Sequence, residues 1–181
     1  MSLRKLLRGE CDAPEVLRAV VLPEWIDVNG HMNVAWYTQV CDLAIDALWQ
    51  EFGITDALRN ETGSSTFAVE SHIRYLNEIV LDEHLIVQSR ILGWDAKRLH
   101  QIQYVFSADS DKLAATCEWL HLHVNLNERR VAPWPPELLA AIAAHPAAQL
   151  ASALPVGAGD RLTIETPLGP QVLATATGGV Q

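Results

Sequence analysis

The hydrophobic positions change their period once along the chain, and that change divides it. Val34, Tyr37, Cys41, Ala44, Ile45, Leu48 and Phe52 recur at three- and four-residue steps, with Val40 and Trp49 widening the stripe. Gln39, Asp42, Asp46 and Gln50 fall mostly elsewhere. This spacing predicts a helix of about five turns. Asn33 stands where an N-cap belongs, and Gly53 where a helix ends in a left-handed residue. A stripe this broad predicts a helix largely enclosed by other structure.

From residue 66 onward the period is two, which predicts strands over 66–76, 85–92, 99–107 and 113–126. In the first of these, Phe67, Val69, Ser71, Ile73 and Tyr75 share one face, and Ala68, Glu70, His72 and Arg74 the other. In the third, His100, Ile102, Tyr104 and Phe106 alternate against Gln101 and Gln103. In the fourth, Leu120, Leu122, Val124 and Leu126 alternate against His121, His123 and Asn125. The connections at 93–97 and 108–112 are short and turn-rich, so neighbouring strands run antiparallel. An apolar, β-branched run at 16–22, stopped by Pro23, predicts one more strand before the helix. Residues 54–64 read as a helical turn or loop, and Pro136 opens a last short helix over 136–144. One strand, one long apolar helix and then four long strands predict an α+β layer fold in which the sheet wraps the helix. Residues 1–15 form a leader, 16–149 the domain, and 150–181 an Ala-, Gly-, Pro- and Thr-rich tail with one strand-like stretch at 161–166.

At 181 residues the chain is one domain in size, and with 49% hydrophobic residues it needs neither disulfide nor metal to fold. Thirteen Lys and Arg against 22 Asp and Glu give a net charge of −9. That balance argues against a nucleic-acid partner and against a polybasic membrane surface. No stretch approaches a membrane span, and the basic start lacks the apolar run of a signal peptide. Cys11, Cys41 and Cys117 are widely spaced and odd in number, which suits reduced thiols and a cytoplasmic location.

The candidate chemistry concentrates in the polar loop before the long helix. The segment WIDVNGHMNVAWY sets Asp27 a few residues ahead of a helix N-terminus. Asp27, Gly30, His31, Asn33 and Tyr37 form a pattern of aspartate, two residues, glycine, His-x-Asn and an aromatic at the opening of a long helix. In this the sequence resembles the hotdog-fold acyl-CoA thioesterases, in their 4-hydroxybenzoyl-CoA thioesterase-like branch. The closing segment at 127–138, NERRVAPWPPEL, is similar to the turn that ends the last strand in that branch. The resemblance covers about residues 16–145. It implies a hotdog fold, an acyl-CoA substrate, no cofactor or metal, and a homodimer or dimer of dimers with sites at the subunit boundary.

Thioester hydrolysis needs stabilisation of negative charge on the carbonyl oxygen, and a nucleophile or an activated water. Free N–H groups at a helix N-terminus supply the first, and the resemblance places the main donor near Val34. Asp27 supplies the second, as nucleophile or general base. As a plain loop residue, Asp27 would instead satisfy N–H groups of its own turn. Gly30 permits a positive φ. His31 either orients Asp27 or water or bonds to backbone. Asn33 caps the helix, and its side chain can also face the carbonyl. Glu70 can reach a pocket across a dimer interface or face solvent. Trp25 and Trp36 flank the site, and aromatic faces attract quaternary ammonium groups. The stretch EWIDVNGHM is also similar to thioesterases acting on betainyl-CoA, some of them fused to carnitine dehydrogenases, which implies a trimethylammonium acyl group. Ordinary aromatic packing around an acyl pocket is the competing reading. Arg129 and Arg130, or Lys97 and Arg98, are candidates for the CoA phosphates. His121 and His123 form a pair with no third metal ligand at a recognisable spacing. A non-catalytic domain that binds an acyl thioester or small ligand is the alternative from another class. A hydratase would need a different Asp/His pattern, which the sequence lacks.

Overall fold

A computed structural model describes residues 13–148. The strand-like stretch at 161–166, and nearly all of the leader and the tail, lie outside the described residues. The sheet has six strands: β1 (Glu15–Val20), β2 (Ser64–Tyr75), β3 (His84–Trp94), β4 (Arg98–Ser107), β5 (Leu113–Asn125) and the short β6 (Arg130–Val131). Their order is β1-β3-β4-β5-β2, with β6 also on β5, and every pairing is antiparallel. Each of the four long pairings contains one register irregularity, and such irregularities bend and twist a sheet. The long helix α1 (Val34–Glu51) lies against one face, followed by α2 (Asp56–Thr62) and, after the sheet, α3 (Pro136–Ala144). This is the hotdog arrangement that the resemblance implied. No described helix is long and apolar enough to cross a membrane.

α1 begins and ends where its spacing placed it. The Asn33 side chain accepts from the Ala35 N–H at 3.0 Å, and Gly53 has φ +90°. Tyr37, Val40, Cys41, Ala44, Ile45, Leu48 and Trp49 are buried against the sheet. Burying each large side chain stabilises the fold by roughly 1.5–3 kcal/mol. The opposite side, with Gln39, Asp42, Leu43 and Gln50, is exposed, so within this chain the helix is covered on one side rather than enclosed.

One expectation about strand faces is corrected. In β2 the register slips between Ala68 and Glu70, because Val69 is an extra residue with no counterpart on β5. Phe67 therefore stands across from Leu122, on the Glu70 and His72 face, whereas Ile73 stands across from Cys117 on the helix side. In β5 the polar positions turn inward. His121 and His123 are buried, and Trp49 of α1 packs edge-on against His121. Gln101 bonds to His121 Nε2 at 3.0 Å, and Gln103 donates to the Cys41 carbonyl at 3.0 Å while accepting from the Trp119 indole N–H at 3.1 Å. Left unpartnered, each such group would cost about 1–3 kcal/mol. The polar side of these strands is tolerable under the helix because most of its groups bond to one another or to the helix, with Gln101 Oε1 left over. On the other face, Leu92, Ile102, Tyr104, Phe106 and Leu113 form a second apolar cluster beside the His100–Glu118 pair, 2.6 Å apart.

Candidate active site

The loop between β1 and α1 is held at both ends. A short 3-10 helix, Pro23–Trp25, leads into it, and the Ile26–Met32 bridge closes it. Inside the bridge the Asp27 N–H donates to the His31 carbonyl, and the Gly30 N–H to the Asp27 carbonyl, each at 3.0 Å. Gly30 has φ +80°, a conformation other residues adopt only with strain. The Met32 N–H reaches the Ile79 carbonyl at 2.8 Å, which ties the loop to the connection between β2 and β3. That connection is itself fixed: the N–H groups of Leu76 and Asn77 bond to the Ala114 carbonyl, and the Asn77 side chain donates to the Leu113 carbonyl.

Within this frame the Asp27 carboxylate is largely shielded, its side chain 19% exposed. Oδ1 accepts the Asn29 N–H at 2.8 Å, and His31 Nδ1 lies 3.9 Å from the same oxygen. One carboxylate oxygen thus has the turn-closing task expected of a plain loop aspartate. At the helix start, the Asn33 side chain takes the Ala35 N–H and the Asn33 carbonyl takes the Trp36 N–H. This capping leaves the Val34 N–H at the positive end of the helix dipole.

A cavity of about 260 Å³ opens beside the helix start, lined by His31, Met32, Val34, Tyr37, Tyr75, Leu76, Asn77 and Glu78. His31 lines it, with Nδ1 3.9 Å from Asp27 Oδ1 and 3.4 Å from the Met32 carbonyl. Val34 is 54% exposed at its rim. Tyr37 and Tyr75 meet there edge to face. Burial foremost, then the Glu83 carboxylate and Tyr75, push the Tyr37 phenol up to about 12, so it stays neutral.

The candidate residues divide accordingly. Asp27, Gly30, His31, Asn33 and Val34 share the loop and helix start, and of these His31 and Val34 line the cavity. Trp25 and Trp36 stack on each other, centroids 5.0 Å apart and planes 16° from parallel, and Trp25 is 8% exposed. Glu70 is exposed on β2 and Arg129 in the turn before β6, and neither lines the cavity. Arg98 is engaged by Asp95, and Arg130 by Glu128. Burial lowers the pKa of both strand histidines, that of His121 to about 3; around His123, contacts to the Ala132 and Pro133 backbone oppose the shift. His123 Nδ1 meets the Ala132 carbonyl at 3.0 Å and Nε2 meets Ser64 Oγ. Among the described residues no group of three or more His, Cys, Asp or Glu could hold a metal. Sequence reasoning missed Leu76, Asn77 and Glu78, which follow β2 without a motif and reach the site through the Met32–Ile79 bond.

Three comparisons bear on this geometry. The Thioesterase-like superfamily matches residues 21–142. The betainyl-CoA thioesterase of Pseudomonas aeruginosa is 37% identical over 139 residues, covering 77% of this chain and 87% of that protein. The L-carnitine dehydrogenase/betainyl-CoA thioesterase of Agrobacterium fabrum is 39% identical over 118 residues, 65% of this chain but 24% of that longer protein. Among solved structures, a Staphylococcus aureus protein in complex with CoA superposes with a TM-score of 0.76 at 26% identity, covering 84% of this chain and 96% of that one.

Proposed function

The chain belongs to the thioesterase-like superfamily and is an acyl-CoA thioesterase, and we propose that Asp27 is its catalytic carboxylate. The observation that carries this reading is the placement of Asp27. It is shielded, pinned through one oxygen by the Asn29 N–H, and 3.9 Å from His31, which lines a cavity at the start of α1. Oδ1 is held, so Oδ2 is the reacting oxygen. It attacks the thioester carbonyl carbon or takes a proton from the attacking water. The developing oxyanion is received by the Val34 N–H and the helix dipole. The C–S bond breaks, CoA leaves as the thiol, and one water is consumed to give the free acid. His31 positions the carboxylate, and Asn33 fixes the helix start. Arg129, exposed and in a left-handed turn, is the cation we assign to the CoA phosphates.

The acyl group we propose carries a trimethylammonium, as in betainyl-CoA. The named activity of the Pseudomonas and Agrobacterium relatives supports this. The assembly we propose is a homodimer, alone or doubled, formed along β2. Among the described residues this strand pairs only with β5, and it exposes Phe67 and Val69. Glu70 would then face the partner's site. The test is thiol release from betainyl-CoA and butyryl-CoA by the wild type and Asp27→Ala. The expected result is faster release from betainyl-CoA, lost in the variant. Equal or poorer use of betainyl-CoA removes the trimethylammonium reading, and turnover by the variant removes Asp27.

A further inference from the structure

The cavity beside α1 has a corner built from two aromatic rings. Tyr37 and Tyr75 have centroids 5.2 Å apart and planes at 77°. Tyr37 is buried and fixed, whereas Tyr75 is 48% exposed and open to a ligand. Glu78 lines the same cavity, and no Lys or Arg is among its described lining residues. We propose that this corner is the subsite for the cationic end of the acyl group, where the Tyr37 and Tyr75 rings and the Glu78 carboxylate together hold the trimethylammonium. The proposal rests on the thioesterase reading of the same site.

A trimethylammonium has no N–H to donate, so hydrogen-bonding partners cannot select it. What distinguishes it from a tert-butyl group of the same shape is its charge, and that is read by aromatic faces and carboxylates. Two rings at a steep angle form a corner whose exposed wall is the Tyr75 ring, and the Glu78 carboxylate supplies the counter-charge. The Glu83 and Glu78 carboxylates both help raise the Tyr37 phenol pKa, in keeping with an acidic surrounding for these rings. Trp25 and Trp36 offer less, since each covers a face of the other. The cavity lies just under the roughly 300–1,000 Å³ of drug-sized pockets, which suits a small acyl group.

The experiment compares kcat/KM for betainyl-CoA with that for 3,3-dimethylbutyryl-CoA, its neutral isostere, in the wild type, Glu78→Gln, Tyr75→Leu and Tyr75→Phe. The expected wild-type ratio strongly favours the cation, and Glu78→Gln and Tyr75→Leu each lower it by about tenfold. Tyr75→Phe, which keeps the ring, restores the ratio. A wild-type ratio near one, or a ratio unmoved in both Glu78→Gln and Tyr75→Leu, overturns the proposal. If the wild type hydrolyses neither ester nor any other acyl-CoA, the thioesterase reading has failed separately. The corner is then judged by melting shifts with trimethylglycine and 3,3-dimethylbutyrate. A larger shift with trimethylglycine that Glu78→Gln abolishes supports it, and equal shifts overturn it.

Discussion

The indole rings of Trp25 and Trp36 lie stacked, 5.0 Å between centroids, and so clamp the segment that leads into Asp27 onto the first turn of α1. The Asn33 N–H reinforces the clamp by donating to the Trp25 carbonyl at 2.8 Å. The carboxylate and the helix N-terminus are therefore held by one local unit, although they belong to different elements.

Removing half of this clamp should loosen the site and weaken the fold. Trp36→Ala is expected to lower unfolding free energy on the order of 1–3 kcal/mol, and Trp36→Phe by less. Urea denaturation checks this. An unchanged midpoint in Trp36→Ala would show that the stack contributes nothing.

Gly30→Ala tests the backbone alone. A Cβ at position 30 meets nothing within 4 Å, so no clash is introduced, but the φ of +80° is strained for any L side chain. A loss of about 1–2 kcal/mol is expected, with thioesterase activity falling as the turn that presents Asp27 relaxes. Full stability together with full activity in Gly30→Ala would contradict the turn geometry.

His121 should make stability depend on pH. Burial pushes its pKa down from near 6.5 to about 3 in the folded state, so the unfolded chain binds the proton more readily. Its contribution is complete above about pH 6.5 and is lost as pH falls toward 3. Melting temperatures taken between pH 7.5 and 4.5 should decline more steeply in the wild type than in His121→Gln. Below about pH 6 the difference in unfolding free energy should approach one proton, or about 1.4 kcal/mol per pH unit. Identical slopes would contradict the buried neutral imidazole.

What was legible in the sequence follows from what is local. α1 was legible because apolar spacing, Asn33 and Gly53 are all features of one segment. The loop around Asp27 was legible because turn chemistry needs only adjacent residues. The extra residue at Val69 was not, since a bulge is set by pairing with a distant strand. The inward side of β4 and β5 was not legible either. Alternation shows that two faces differ, but not that Gln101, Gln103 and His121 would bond to one another or to the helix and so fit beneath it. Glu78 was invisible for the same reason, because only the Met32–Ile79 bond carries its segment to the site.

The most direct test of the account is thiol release from acyl-CoA by Asp27→Asn, with folding verified by its melting curve. The substitution retains shape and the Asn29 contact while removing the carboxylate that we propose as nucleophile or base. A folded variant whose kcat is reduced by roughly 10²–10⁴-fold is the predicted result. A folded variant that turns over at the wild-type rate would contradict the assignment of Asp27.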